Sequence, residues 1–207
     1  MAIPDLIVDR IATPGVMSAK LLLPWGSATD GVGQRGAHHL LAATLSRGCG
    51  PFDHRQLADL VEGRGAGLRS DAHEDGLLIS LRCTTEDAQE LMPLLDWMVT
   101  APHLATEQLE LERSLSLQAL QRQREDPFHL AIDQWRQLVY GSTGYGHDPL
   151  GVSDDLQRLD ETVLQALARQ LTTGRSVLAI SGTWLSSLDD TLLKRTGEGW
   201  QDTSDAP

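Results

Sequence analysis

The order of predicted strands and helices indicates an α+β fold, in which a mostly antiparallel sheet carries helices on one face. Two β-rich segments begin the chain, and two more form a hairpin before its middle. Apolar and polar residues alternate in these strands, which is typical of a sheet buried on one side only. A run of helical segments then precedes the last strand, so strands and helices do not alternate as they do in a parallel α/β fold.

The first two strands are predicted at 6–11 and 16–25, with the turn sequence Thr13-Pro14-Gly15 between them. One face of the second strand is entirely apolar and is formed by Met17, Ala19, Leu21 and Leu23. Its other face is mixed and consists of Val16, Ser18, Lys20 and Leu22. This pattern predicts that helices cover only one side of the sheet.

A polar loop leads from the second strand to a helical segment at 34–48, which is rich in alanine and leucine and ends at a glycine. The next helix is predicted to begin after Asp53, since Gln56 three residues later completes a capping box. The glycine-rich sequence at 63–67 ends this helix. Because it follows a helix and opens none, a turn is predicted there and not a nucleotide-binding loop.

The remaining elements follow from the apolar spacing and from the positions of glycine and proline. A hairpin is predicted at 68–73 and 76–83. Helices are predicted at 86–100, 106–124, 128–140, 153–159 and 161–171, and a last strand at 176–181. Residues 185–194 are compatible with a final helix. Since no repeat or linker is visible, the sequence predicts one domain over 1–207, with a core at about 5–195 and a flexible tail at 196–207.

Composition excludes some classes of function. A formal net charge of -12 and a pI near 4.9 argue against a nucleic-acid surface, which needs clustered positive charge. Cys49 and Cys83 form no Cys-x-x-Cys motif, so free thiols in a reducing compartment are expected. No basic leader precedes an apolar segment, and no apolar run is long enough to cross a bilayer. A soluble, cytoplasmic protein is therefore expected, with no membrane or nucleic-acid partner.

Two adjacent histidines on the helix at 34–48 are the first candidate metal ligands. Residues four apart on a helix share a face and can bind one metal, and a glutamate at the third position can reach the metal-bound water. After His39 these positions are Ala43 and Ala42. His38 and His39 point about 100° apart and cannot chelate one ion together. A hydrogen-bonded or half-exposed pair of histidines is therefore expected.

This helix resembles the signature helix of the M16 zinc peptidases, the family of pitrilysin, insulinase and mitochondrial processing peptidase. That family carries the motif His-x-x-Glu-His. His39 falls on the first histidine, whereas Ala42 and Ala43 fall on the catalytic base and the second ligand. Gly36 and the Arg-Gly pair at 47–48 match the residues that flank the motif.

The resemblance extends over nearly the whole chain. Further matching segments are the Gly-Ser-x-x-Asp loop at 26–30, Val-Glu-x-x-Gly-Ala at 61–66, Leu-Glu-Arg at 111–113 and Tyr-Gly-His-Asp-Pro at 145–149. M16 proteins contain two such half-domains per unit, and two units enclose a chamber. The resemblance therefore implies one half-domain, whose partner is an M16-type catalytic subunit or another copy of the chain.

The family's third zinc ligand is a glutamate on the long helix, with another glutamate seven residues later. The resemblance places Glu112 at the first position and Ala119 at the second. Of the four catalytic positions only His39 and Glu112 are then retained, and Glu112 can also be interpreted as a solvated charge near Arg113. Hydrolysis is expected to be lost, because Ala42 cannot accept a proton from a metal-bound water.

The resemblance thus implies a non-catalytic M16 homologue that pairs with a zinc-bearing partner to form a peptide-processing chamber. No catalytic residue, bound metal or other cofactor is expected in this chain, and zinc is expected in the partner. In this family, peptides add as a strand to one sheet edge. The matching edge residues are Leu68, Arg69, Ser70, Asp71 and Ala72. Unfolded peptides are the expected ligands.

Two other functions stay open. One is a purely structural or assembly role for the same fold. The other is an active zinc metallopeptidase with different ligands, drawn from His38, His39, His73 and His147. A cysteine protease is disfavoured, since Cys49 follows a helix C-terminus, where the dipole does not stabilise a thiolate, and Cys83 ends a strand.

Three tryptophans are large enough to anchor a partner interface, namely Trp97, Trp135 and Trp184. At least two of them are expected to lie in the core instead.

Overall fold

The computed structural model describes residues 4–12 and 14–183. Thr13 of the predicted turn, Trp184, the predicted final helix at 185–194 and the predicted tail at 196–207 lie outside the described residues. A five-stranded sheet is formed by β1 (Asp5–Arg10), β2 (Val16–Leu23), β3 (Gly67–Ala72), β4 (Leu77–Thr84) and β5 (Val177–Gly182). Their order is β1-β5-β2-β4-β3. Among the described strands only β1 and β5 pair in parallel, so the predicted mostly antiparallel sheet is confirmed.

The helices are α1 (Ala37–Leu45), α2 (His54–Gly63), α3 (Ala88–Leu91), α4 (Pro93–Thr100), α5 (Thr106–Gln123), α6 (Pro127–Tyr140), α7 (Ser153–Leu156) and α8 (Glu161–Leu171). Short 3-10 turns occur at Ser27–Thr29 and Gly144–Gly146. In the strands, alternate side chains are buried, as predicted for β2. The helices therefore pack on one face of the sheet, which confirms the predicted α+β class.

Helix α1 lies at the centre of the fold, where it contacts β3, α5 and α8. It is shorter than the predicted segment, because the residues before Ala37 form a tight turn. Gly36 has φ of +98°, and an added Cβ would lie 2.8 Å from the Cα of Gly151, so only glycine fits. The side chain of Asp30 accepts hydrogen bonds from the backbone amides of Gly36 and His38, at 2.8 and 3.3 Å, and fixes the start of the helix.

One predicted helix is wrong in its extent. The segment at 86–100 forms two helices, α3 and α4, which are separated at Met92. The backbone of Met92 stays in the helical region, with φ of -56° and ψ of -36°. The interruption arises because Pro93 has no amide hydrogen to continue the ladder of hydrogen bonds.

The predicted capping box at the start of α2 is confirmed. The carboxylate of Asp53 accepts from the amides of Arg55 and Gln56, and the Gln56 side chain accepts from the Asp53 amide at 3.0 Å. The glycine-rich sequence after this helix is a turn, as predicted, with Gly65 at φ of +59°.

The tryptophans lie in different environments. Trp97 packs against the core and against Phe52, with ring centroids 5.9 Å apart. Trp135 is 51% exposed on α6. Trp97 therefore packs at the core and Trp135 does not, and the expectation of at least two core tryptophans stays a prediction because Trp184 lies outside the described residues.

Within the described residues, none of the helices combines the length and the apolarity that crossing a bilayer requires.

Candidate functional site

A cavity of about 340 Å³ lies between α1 and β3. His39, Ala42 and Ala43 line it from the helix, and residues 69–73 line it from the strand and the turn that follows. β3 is the last strand of the sheet, and among the described residues no other strand pairs with its outer edge. The fold therefore brings together two predicted sets of residues, the positions of the zinc motif and the peptide edge.

The edge strand contributes alternate side chains to the two sides of the sheet. Ser70 and Ala72 are partly shielded from solvent and lie two residues apart, so they share one side of β3. The hydroxyl of Ser70 is buried without a hydrogen-bond partner. Leu68 belongs to the same strand and packs against the core. It does not line the cavity, unlike the other four predicted edge residues.

His39 is half-buried in the wall of the cavity. Burial lowers its pKa, and the carboxylates of Asp148, Glu112 and Asp71 partly oppose this effect. Its imidazole is therefore neutral at pH 7, as a metal ligand must be. A single neutral imidazole is nevertheless one ligand only, and Ala42 and Ala43 add no donor atom.

Glu112 is held in an ion pair with Arg47. The Nε of Arg47 donates to the Oε1 of Glu112 at 2.5 Å, and its Nη2 contacts the same oxygen. Glu112 is only 7% exposed, whereas the neighbouring Arg113 binds Glu110 at 2.5 Å. The interpretation of Glu112 as a solvated charge near Arg113 is therefore wrong. Its carboxylate already neutralises a guanidinium.

His38 does not point to a metal site either, since its Nδ1 donates to the Oδ1 of Asp30 at 2.6 Å. Both side chains are almost fully buried. Asp30 thus binds a side chain and two backbone amides of the α1 start, and joins the preceding loop to the helix. The expected hydrogen bond is confirmed for His38, and the expected half-exposure is confirmed for His39.

Two further candidate ligands are His73 and His147. His73 lines the same cavity as His39. His147 is buried and donates from Nδ1 to the carbonyl of Asp148 at 2.8 Å. Within residues 4–12 and 14–183, no three His, Cys, Asp or Glu side chains are grouped so that they could hold a metal ion. The residues that the resemblance places at the M16 zinc position therefore do not fit zinc.

Both cysteines are free and buried, so the prediction of free thiols is confirmed. Burial raises the pKa of the Cys49 and Cys83 thiols to about 11. They are protonated at neutral pH and lack the thiolate that a cysteine nucleophile requires.

One interaction near the site is not recognisable from the sequence. The Nε of Arg35 donates to the Oδ2 of Asp155 at 2.6 Å. Asp155 also accepts from the backbone amides of Gly33 and Arg35. This carboxylate on α7 therefore fixes the loop that leads into α1. The arginine precedes the motif glycine, but no local pattern indicates an acceptor 120 residues away.

The fold is that of known M16 structures, although no family model matches the sequence. An M16 inactive domain from Pseudomonas fluorescens superposes with a TM-score of 0.83 at 20% identity, over 100% of this chain and 51% of that one. The first half of the periplasmic protease PqqL of Escherichia coli gives 0.80 at 14% identity, over 98% of this chain and 46% of that one.

Among curated proteins, an uncharacterised zinc protease of Mycobacterium leprae is 22% identical over 173 residues. The match covers 82% of this chain and 39% of that protein. The chain thus spans about half of these two solved structures and less than half of this relative. The chain therefore has the fold of one M16 peptidase half-domain.

Proposed function

We propose that this chain is a non-catalytic half-domain of an M16-type assembly, which binds unfolded peptide segments and leaves hydrolysis to a zinc-bearing partner. One observation carries the proposal. A cavity lies beside the open edge of β3, while alanine stands at the base and second-ligand positions and Glu112 is paired with Arg47. Peptide can then be bound next to a centre that has no means of activating water.

The binding mode follows from the position of β3 at the end of the sheet. A peptide that pairs with its open edge forms backbone hydrogen bonds and continues the sheet. Every second side chain of such a peptide lies on the helix side. The cavity between α1 and β3 lies on that side and can receive one of these side chains.

The need for a partner is supported by the size of the related structures. Two of the solved structures that this chain resembles contain about as much chain again, and one of these two is an M16 inactive domain. A catalytic subunit or a second copy would supply the missing half of a chamber. Zinc would then be bound by a chain that retains the complete motif.

The first test is peptide binding, measured by fluorescence anisotropy with a labelled, unstructured peptide. Arg69→Pro and Ser70→Pro form an internally controlled pair. Neighbouring residues of a strand direct their amides to opposite edges. One proline therefore removes a hydrogen bond to β4 and destabilises the fold, whereas the other removes a donor from the open edge. The variant that loses the donor at the open edge should remain folded and should bind the peptide at least about 10-fold more weakly than wild type.

Mass spectrometry of the same peptide, incubated with the chain and zinc, completes the test. We expect the peptide to remain intact. Cleavage that is abolished by a chelator would instead support the active metallopeptidase. A folded wild-type chain that binds no peptide would support the structural or assembly role.

A further inference from the structure

A second cavity, of about 160 Å³, lies where the end of α5 and the middle of α6 meet the loop at 146–153. It shares no lining residue with the cavity beside β3, so the two can be tested independently. Asp133 of α6 lines this second cavity, whereas the apolar Trp135 and Leu138 of the same helix are exposed. A polar side of α6 therefore faces the protein. The cavity is well above the volume that a single water molecule needs.

His147 in the wall of this cavity has a ring nitrogen without a partner. The residue is 7% exposed, and its Nδ1 donates to the carbonyl oxygen of Asp148, so Nδ1 carries the ring proton. Nε2 of the neutral imidazole is then an acceptor, and among the described residues it has no hydrogen-bond partner. Buried polar atoms are rarely left in this state, because the loss of hydration is not offset. His147 therefore requires a donor that the described residues do not supply.

Two carboxylates of the same cavity also lack a directly bound cation. The partly buried Asp133 forms neither an ion pair nor a hydrogen bond within the described part of the chain. Asp148 accepts from the amide of Leu150 at its Oδ1, and its other oxygen has no partner there. Burial raises the pKa of Asp133, and the charge of Asp148 raises it further. Two carboxylates that repel each other in a partly closed cavity favour a bound cation.

The basic side chains nearby do not supply that cation. Arg136 and His129 are each paired with another carboxylate. Arg124 lines the cavity, but it is exposed, and its Nη2 donates to the hydroxyl of Ser153 at 3.2 Å. All three lower the pKa of Asp133 through their charge, and none forms an ion pair with it. The lining thus has two carboxylates against one guanidinium, which leaves an excess of negative charge.

We propose that this cavity binds a primary alkylammonium ion, which donates to the carboxylates of Asp133 and Asp148 and to Nε2 of His147. An ammonium group has three N–H donors, and the cavity offers these three acceptor groups. Leu120 and Val152 also line it and can contact the methylene chain of the ligand. A metal ion fits less well, since the described residues group no three His, Cys, Asp or Glu side chains that could hold one. The ligand is a free amine or the side chain of a lysine in a bound polypeptide.

Isothermal titration calorimetry with butylammonium chloride at neutral pH tests the proposal. We expect one site per chain with a Kd of about 1 mM or below, an affinity within reach of a ligand of this size. Tetramethylammonium carries the same charge but has no N–H donor. It should bind at least about 10-fold more weakly, because it cannot satisfy the three acceptors.

Asp133→Asn removes one negative charge from the cavity and should raise the Kd for butylammonium at least about 10-fold. The variant should remain folded, because Asp133 has no partner to lose. Glu125→Gln is the matched control, since it makes the same change in net charge at an exposed residue that does not line the cavity. It should leave the Kd unchanged.

Nitrogen-15 NMR gives a measurement at His147 itself. The Nε2 resonance should shift when butylammonium is added and should stay in place with tetramethylammonium, because only the former donates to the lone pair. A wild-type chain that binds butylammonium no better than tetramethylammonium would overturn the proposal. So would an Asp133→Asn variant that binds butylammonium like wild type.

Nα-acetyl-lysine methylamide distinguishes the two sources of the ammonium group. A Kd close to that of butylammonium would show that the cavity admits a lysine side chain of a polypeptide. Binding of butylammonium alone would show that it admits only a free amine. Either result supports the ammonium site, and the absence of binding by both compounds overturns it.

Discussion

Arg47, two residues after α1, binds Glu112 in the middle of α5, across 65 residues of sequence. The pair joins α1 to α5, the two helices to which the sequence resemblance assigns His39 and Glu112 as M16 ligand positions. Glu112 therefore has a structural role here, as the partner of a guanidinium.

Glu112→Gln should lower the free energy of unfolding by about 1–3 kcal/mol, because it leaves the partly buried Arg47 without a counter-charge. Urea unfolding followed by circular dichroism measures the change. Glu110→Gln is the control, since Glu110 is 58% exposed in its pair with Arg113 and should change stability by about 0.5 kcal/mol or less. Equal effects of the two substitutions would contradict a special role for Glu112.

Ala43→His should create zinc binding, and the wild-type chain should bind no zinc in the same assay. The new imidazole stands four residues after His39 on α1, and both positions line the cavity, so the two rings can share one ion. Zinc content after dialysis, measured by elemental analysis, should rise toward one ion per chain. Ala43→Asn controls for the change in size and should bind none, and equal zinc contents would show that position 43 does not direct a side chain at His39.

The ion pair of Arg35 with Asp155 predicts that the free energy of unfolding falls at acidic pH. Hydrogen bonds from Arg35 hold the pKa of the Asp155 carboxyl below its ordinary value of 3.8. Because the folded-state pKa is the lower one, the stabilisation is complete above 3.8 and is lost as the pH falls through the folded-state pKa. Asp155→Asn should therefore be less stable than wild type at pH 7.

The difference in unfolding free energy between these two proteins should shrink as the pH falls from about 5 to about 2. Thermal unfolding at a series of pH values measures it. A difference that stays constant over this range would show that Asp155 stabilises the loop without its charge.

The thiols of Cys49 and Cys83 should react slowly with a disulfide reagent at pH 8 in the folded protein. Burial raises the pKa of both to about 11, so about one thiol in 1000 is ionised at that pH, and both are shielded from solvent. Both should react rapidly in denaturant. Rapid modification of one thiol under native conditions would indicate that its surroundings open in solution.

Local patterns predicted much of the fold because the forces behind them are local. The capping box of Asp53 and Gln56 involves residues three apart, and the buried face of β2 follows from alternation within one strand. The predicted helix at 86–100, which is wrong in its extent, also has a local cause. Pro93 lies inside an apolar helical pattern, and its missing amide divides the helix where apolar spacing alone predicts continuity.

The candidate site was predicted in part. Sequence resemblance assigned the motif positions to α1 and the peptide edge to β3, and the fold places both at one cavity. It could not predict that Glu112 is paired with Arg47, or that His38 is paired with Asp30 and removed from the site. Those pairings depend on how elements pack, and the identity of a charged residue does not specify its partner.

By itself, the sequence determined that alanine stands at positions 42 and 43, so that neither a carboxylate base nor an imidazole ligand can occupy them whatever the fold. It also determined that α6 is amphipathic, since that depends only on helical spacing. The tertiary structure alone decided which side of α6 faces the protein. Arg136 is held by Glu74 and by the carbonyl of His147, and these contacts turn the apolar stripe to the surface. Helical spacing determines which residues share a side of the helix, but only tertiary packing determines whether that side contacts the protein or solvent.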